Sequence, residues 1–289
     1  MRSDGTISPA TRLCAVIGNP VGHSLSPALH NAALNALGLD LIYVAFRVKD
    51  LKNAIAGMRA LENFRGMSVT IPHKIEIIDY LDDVAEVDRC IGSVNTVISE
   101  HGRLYGFGTD GPGALKALLD AGVSLEGMSI LILGAGGASR AIAFTLARFA
   151  ALDRLVILDI NEPVMETLAE DLRAGTSVTV ETAYLDNDSI AKRVPQADLI
   201  INCTPVGMHP QEDATLIPAG FFKKGQVVFD VVYTPLETRL LRDATSRGCR
   251  VISGVEMFIN QAALQFERFT GESAPVEVMR QVVMERLKG

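Results

Sequence analysis

The sequence predicts an α/β fold of two domains with a cleft between them. Three observations carry that expectation. Short apolar runs alternate with amphipathic helical ones, the pattern of a largely parallel sheet. One run, residues 128–133, is almost continuously apolar, as in a strand covered on both faces, and passes straight into a glycine-rich turn. Two C-terminal helical stretches, near 256–269 and 275–288, have no strands of their own and are expected to pack on the first domain.

A length of 289 residues gives room for one or two domains with real cores. A hydrophobic content of 48% with 21% charged residues is that of an ordinary soluble globular protein. The net charge of −7 and pI near 5.3 argue against a general nucleic-acid surface. No apolar run approaches the ~20 residues of a membrane span, and the polar residues 1–10 read as a loose tail without a signal core. A cytoplasmic protein, monomer or homodimer, is expected. Cys14, Cys90, Cys203 and Cys249 lie far apart and neither they nor the histidines show metal-ligand spacing, so no metal is expected.

In chain order, residues 12–17 form a short apolar strand ending at Gly18. The loop that follows carries two hydroxyls, Ser24 and Ser26, before a helix that runs to about Leu37 with Gly38 as its C-cap. Ser26, followed by Pro27, fits an N-cap. It equally fits, with Ser24, a reader of a polyhydroxylated or anionic ligand. Ser24 precedes the cap and has no such local explanation. A strand over 41–46 and a helix over 51–61 come next, then a strand over 66–71. Helical pieces near 75–81 and 84–90 precede a hairpin of 92–98 and 103–108, turning at His101-Gly102 and adding antiparallel edges to the sheet.

The strand over 66–71 alternates Met67, Val69 and Ile71 with Ser68 and Thr70, and Pro72 ends it. Thr70 and Lys74 are thereby left at a strand's carboxyl end, where open α/β sheets place their ligands. Beside Ile71 and Ile75, Lys74 reads either as a solvated helix residue or as a lysine whose pKa desolvation could lower, which would suit it to acid–base work. Asp110, ahead of a helix over 112–119, fits an N-cap with Pro112 just inside.

In the second half, the strand 128–133 enters Gly134-Ala135-Gly136-Gly137-Ala138-Ser139, a helix over 138–149 follows, and the next strand ends in Asp159. The glycines permit a tight turn and close approach of a pyrophosphate, which the helix N–H groups and dipole favour. Asp159, twenty residues beyond Ser139, suits a ribose hydroxyl. Further units end in another strand-end loop, 202–208, and in a strand over 227–232, the turn 233–235, a helix over 236–246 and a strand over 250–252. These make a six-stranded Rossmann dinucleotide-binding domain over 113–253, leaving 1–112 plus 254–289 as a mixed-sheet α/β substrate domain.

Taken together, the ordered motifs resemble the shikimate dehydrogenase family over nearly the whole chain. The serine loop is Ser24-Leu-Ser26-Pro27, and the threonine-to-lysine motif is Val69-Thr70-Ile-Pro72-His-Lys74. Asn95 stands in Gly92-Ser-Val-Asn95-Thr96 and Asp110 in Gly108-Thr109-Asp110-Gly111. The cofactor turn, the loop from Asn202 to Met208, Tyr233-Thr-Pro235 and Gln261 in Met257-Phe-Ile-Asn-Gln261 complete the set. The resemblance implies that Ser24, Ser26, Thr70, Asn95, Tyr233 and Gln261 bind the substrate, with Lys74 and Asp110 catalytic. It implies cofactor contacts from Gly134 to Ser139 and from Asp159, Asn202, Thr204, Met208, Val231 and Gly254. Asp110 would favour the charged form of Lys74, opposing the desolvation effect.

What the resemblance implies in function is reversible oxidation of shikimate, or quinate, to the 3-dehydro ketone with a nicotinamide cofactor. Two departures bear on the ring substrate: many members carry Asn where this chain has Ser68 and again where it has Gly108. Aminoshikimate or another ring hydroxy acid is the alternative substrate, and a non-catalytic nucleotide sensor is the rival from another class. NAD is the expected cofactor, with NADP possible. Family members that use NADP usually carry Asn-Arg-Thr after the second strand of the cofactor domain. Here the stretch is Leu158-Asp159-Ile-Asn161-Glu162, with two acids and no base.

Overall fold

Alternating burial along the first strands is what builds the N-terminal sheet. In the computed structural model, which describes residues 7–288, β1 (Arg12–Gly18) is buried over its last five positions because it has a strand on either side. The first six positions of the expected tail lie outside the described residues. Helix α1 (Ser26–Ala36) leads to β2 (Leu41–Arg47), and α2 (Leu51–Arg59) to β3 (Phe64–Val69). Asp50 caps α2 by accepting from the Asn53 N–H at 3.0 Å, and Leu51, Ile55 and Met58 make its buried stripe. A two-residue strand β4 (Asp83–Val84), helix α3 (Glu86–Ile91) and the hairpin of β5 (Thr96–Glu100) and β6 (Arg103–Phe107) follow. His101 and Gly102 both take positive φ, 52° and 75°, the turn the dipeptide predicts.

The sheet order is β2-β1-β3-β5-β6-β4, parallel from β2 to β3 and antiparallel through the hairpin. The hairpin was expected at the edge. It is instead flanked by β4, which pairs parallel with β6, a strand too short to leave a periodicity signal. The helix expected over 75–81 is a 3-10 turn, Glu76–Tyr80, preceded by a tight turn at Pro72–Lys74. Only Ile77 is buried there, so no second helical turn has an apolar face to pack.

The second half continues with α4 (Asp110–Asp120), β7 (Ser129–Leu133), α5 (Gly137–Phe149), β8 (Arg154–Asp159), α6 (Glu162–Gly175) and β9 (Thr179–Tyr184). Then come α7 (Asn187–Arg193), β10 (Leu199–Asn202), β11 (Val227–Asp230), α8 (Arg239–Ser246) and β12 (Arg250–Ser253). All six strands run parallel in the order β12-β11-β10-β7-β8-β9, a Rossmann arrangement. β7 and β10, next to each other inside the sheet, are buried throughout. β9, at the sheet edge, buries only Val180, so the strand carries little apolar pattern.

The chain closes with α9 (Gly254–Thr270) and α10 (Val276–Lys288). By compactness the chain divides into a unit of Met1–Thr109 with Ile259–Gly289, and a unit of Asp110–Phe258. The divisions fall within five residues of 112/113 and 253/254 and leave the first turn of α9 with the second unit. In the first unit α10 lies along α1.

Between α1, β2 and the end of α9 lies an aromatic stack. His30 stacks on Tyr43 at 4.3 Å between ring centroids, with Phe266 at 6.4 Å and Phe269 at 5.9 Å. Burial holds the His30 imidazole down at about 3, against a hydrogen bond with Gln265 that acts the other way. In the unfolded chain this histidine gains its proton below ~6.5, so the native state loses stability as pH falls from there toward 3. Asp230 opposes this. Burial raises its carboxyl to about 6, so its contribution is lost as pH rises through that value. Comparing wild type with His30→Phe cancels the Asp230 contribution. We expect the stability advantage of wild type over this variant to shrink by up to about 1.4 kcal/mol per pH unit below pH 6.5. Urea melts of both proteins at several pH values between 4 and 7.5 measure it, and a constant difference would show that His30 titrates normally.

Candidate active site

In the first unit, backbone hydrogen bonds draw together three segments that carry site residues. The Asn19 N–H donates to the Ile71 carbonyl at 2.9 Å and the Thr70 N–H to the Ile17 carbonyl at 2.9 Å, joining the serine loop to the threonine motif. A Cβ on Gly18 would sit 2.4 Å from Thr70 Cγ2, so this close approach requires glycine. The Val94 N–H donates to the Lys74 carbonyl at 2.8 Å and the Val69 N–H to the Asn95 carbonyl at 2.8 Å, adding the Asn95 segment.

The two serines exchange the roles the sequence suggests. Ser26 opens α1 but caps nothing with its side chain, and it is 7% exposed. Its hydroxyl instead lies near the Tyr43 phenol. Ser24, which had no local explanation, accepts the Ser26 N–H at 3.3 Å. A serine two residues ahead of a helical amide can make an ST-turn, a pattern that competes with capping.

Asn95, 3% exposed, is held on both sides of its amide. Its Oδ1 accepts the Thr109 N–H at 2.8 Å and the Thr96 hydroxyl at 2.9 Å, while its Nδ2 donates to Thr109 Oγ1 at 2.9 Å. Thr109 Oγ1 also lies 3.5 Å from Gln261 Oε1. So Asn95 and Gln261 meet through Thr109, which sequence reasoning passed over although it adjoins Asp110. His73, beside Lys74, is buried, with Nε2 donating to the Val48 carbonyl at 2.9 Å. Lys74 is half-buried. The isoleucines that could desolvate it do not provide that cover: Ile71 is 70% exposed and Ile75 56%. The turn at Pro72 directs both outward, which alternation in the preceding strand does not forecast.

Gly108 lies against Asp88, and a Cβ there would be 2.5 Å from Asp88 Oδ1. Desolvation raises the Asp88 carboxyl. The side chain of Asp88 thus fills the space that a longer residue at 108 would take.

In the second unit, Asp110 is the first residue of α4 and is buried. Gly134 takes φ +100°, open to glycine, and turns β7 into α5. No side chain caps α5, and Ser139 Oγ is fully buried without a partner. Uncapped N–H groups and an unsatisfied hydroxyl at a helix start fit an anionic group, so the residues present suit a dinucleotide pyrophosphate. Gly134, Ala135, Gly136, Gly137, Ala138 and Ser139 make up this turn. Asp159 Oδ2 accepts the Ala135 N–H at 2.6 Å and Oδ1 the Asn161 N–H at 2.7 Å, pinning the turn to the end of β8. Asn161, not Asp159, caps α6.

The loop after β10 is organised by Asn202. Its Oδ1 accepts from the Thr204 N–H at 3.1 Å and the Thr204 hydroxyl at 2.7 Å, and its Nδ2 donates to Asp230 at 2.9 Å. Asp230, fully buried, also accepts from Thr238 at 2.6 Å and from the Val232 N–H at 3.1 Å. This carboxylate was missed by sequence reasoning, though an acid ending the apolar run of β11 was its signal. Met208 is 40% exposed at the far end of the loop. Val231 lies against Gly254, where a Cβ would be 2.3 Å from its carbonyl oxygen, and Tyr233 stacks on Phe258 at 4.6 Å.

Comparison with known proteins gives the family. The family description "Shikimate dehydrogenase substrate binding domain" matches residues 16–97, and "Shikimate 5'-dehydrogenase C-terminal domain" matches 254–284. The shikimate dehydrogenase (NADP(+)) of Moorella thermoacetica is 45% identical over 284 residues, covering 97% of this chain and 95% of the relative. The structure of shikimate 5-dehydrogenase from Listeria monocytogenes in complex with shikimate and NAD has a TM-score of 0.89 at 36% identity, covering 96% of this chain and 98% of that one. Quinate dehydrogenase from Corynebacterium glutamicum in complex with NAD has a TM-score of 0.88 at 29% identity, covering 95% and 99%. The chain belongs to the shikimate dehydrogenase family.

Proposed function

We propose that this chain catalyses the reversible oxidation of shikimate to its 3-dehydro ketone with a nicotinamide dinucleotide. The observation that carries this reading is the gathering, in the first unit, of the Thr70, Lys74 and Asn95 segments with the serine loop, and of Asn95 with Gln261 through Thr109. Neutral hydroxyls and amides suit the hydroxyl groups of a ring acid, and a lysine among them suits a proton transfer. A dinucleotide held by its pyrophosphate at the Gly134–Ser139 turn would supply a nicotinamide ring as the hydride acceptor.

The rest is done by side chains of this chain. Ser24, Ser26, Thr70, Asn95, Tyr233 and Gln261 hold and orient the ring acid. Lys74 takes the hydroxyl proton during oxidation and returns it during reduction. Asp110 acts with Lys74 as a catalytic pair. In the second unit Asp159, Asn202, Thr204, Met208, Val231 and Gly254 shape the cofactor's seat. A non-catalytic sensor would have no use for Lys74 and Asp110, and retention of both supports the enzyme.

Quinate is the second reading. It is supported by the resemblance to a quinate dehydrogenase and by the departures at Ser68 and Gly108, each two residues from a proposed site residue, Thr70 and Asp110. For the cofactor, the relative from Moorella thermoacetica is named for NADP(+), which gives no support to an NAD preference. The acidic residues Asp159 and Glu162, with no base beside them, support NAD in this chain. Initial rates from absorbance at 340 nm, with shikimate, quinate and aminoshikimate and each cofactor, test the reading. We expect turnover of shikimate. A protein inert toward every combination would refute the activity, and turnover of quinate alone would favour the second reading.

A further inference from the structure

We propose that Gln265 is a positioning residue for the ring acid, setting the geometry of Asn95, Thr70 and Gln261 without touching the substrate; this rests on the activity proposed above. Gln265 is 2% exposed and uses both ends of its amide. Its Oε1 accepts the Ser68 hydroxyl at 2.7 Å. Its Nε2 donates to the Asn95 carbonyl and to Thr96 Oγ1, each at 3.1 Å. Ser68 in turn accepts the Tyr43 phenol at 2.6 Å.

Each partner leads to a proposed reader. Ser68 lies two residues before Thr70 on the same face of the chain. Thr96 donates its hydroxyl to Asn95 Oδ1 at 2.9 Å, and Gln265 holds the Asn95 carbonyl directly. Gln261 stands one turn earlier on α9, on the same helix face as Gln265. One amide therefore fixes β3, the start of β5 and α9 against each other, and with them three reader positions. Leucine would fill this place without the desolvation cost of a buried amide, whose benefit is a single hydrogen-bonded register. Ser68, where many family members carry Asn, is part of the same chain: its small hydroxyl leaves room for the Gln265 amide and bridges it to Tyr43.

A residue that merely holds α9 in place affects melting; a positioning residue affects the ring acid selectively. The test uses the full chain with Gln265→Leu and Ser68→Ala, measuring KM for shikimate, KM for the cofactor, kcat and Tm. For Gln265→Leu we expect KM for shikimate to rise roughly tenfold, the size of one lost buried hydrogen bond, with KM for the cofactor unchanged. Ser68→Ala should move the same constant in the same direction by a smaller factor, and it keeps the test in force if Gln265→Leu fails to fold. A lowered Tm with both KM values unchanged, or both KM values rising together, overturns the inference. A wild type that binds and turns over no ring acid instead refutes the proposed activity and this inference with it, and is recognised because no variant is needed to see it.

Discussion

Lys74→Ala lowers kcat by roughly 10²–10⁴-fold, the usual contribution of a general acid–base group, while KM for the cofactor stays as in wild type. The expectation follows from where Lys74 sits. Its carbonyl is tied to the Val94 N–H beside Asn95, so the backbone that carries it is fixed to the segment carrying a proposed reader. His73 next to it is anchored on the Val48 carbonyl, which immobilises the turn from the other side. Removing the amine leaves these supports intact, so the loss falls on proton transfer and not on folding. Asp110→Asn keeps the shape of the first residue of α4 and removes its charge, and a loss in the same range is expected. If the two act as one device, the double variant is little worse than the poorer single one, because the second substitution removes a function already gone. Steady-state kinetics on the three variants decide this. Either single variant keeping more than about a third of wild-type kcat lies far outside the acid–base range and removes that residue from the mechanism.

What the sequence discloses of this fold depends on how much periodicity each element needs. β7 and the glycine turn after it are readable because a strand buried on both faces is a solid apolar run and a phosphate-binding turn needs glycine at fixed spacing. The hairpin turn at His101-Gly102 is readable from its dipeptide alone. β4, two residues long, and the 3-10 turn Glu76–Tyr80 leave no period to detect. At the candidate site, residues exposed on loops stand out by type, whereas their supports do not. Tyr43, Thr96, Thr109, Asp230 and Gln265 read as ordinary strand or helix residues, because a buried hydrogen bond links positions far apart in the chain. Ser68 and Gln265 are 197 residues apart. The same limit applies to Ser26: capping is a local rule, and the Tyr43 phenol near it comes from β2, seventeen positions on.

On the NAD preference proposed above, Asp159→Ala relaxes discrimination against NADP by roughly tenfold or more, and also lowers kcat/KM with NAD. The first effect is electrostatic. A 2′-phosphate carries about −1.5 to −2 charge, and a carboxylate ~4 Å away at an effective dielectric near 20 repels each unit by up to ~4 kcal/mol before relaxation and screening. A quarter of that is already close to tenfold in affinity. Glu162, in the first turn of α6, is a second acid three residues on, and no base lies between them in sequence. The second effect comes from the supports that the carboxylate provides to the protein itself. It accepts the Ala135 N–H at 2.6 Å and the Asn161 N–H at 2.7 Å, so alanine frees the glycine turn as well as deleting a ribose acceptor. Asn161 still caps α6, so the helix itself is retained. The measurement is kcat/KM with NAD and with NADP at one ionic strength, for wild type and variant. NADP used as well as NAD by wild type would refute the preference, in line with the NADP(+) named for the relative from Moorella thermoacetica. An alanine variant whose ratio stays at the wild-type value would place the discrimination elsewhere than Asp159. A fall in the NAD rate alone, with the ratio fixed, would mean that Asp159 serves the turn and not the choice of cofactor.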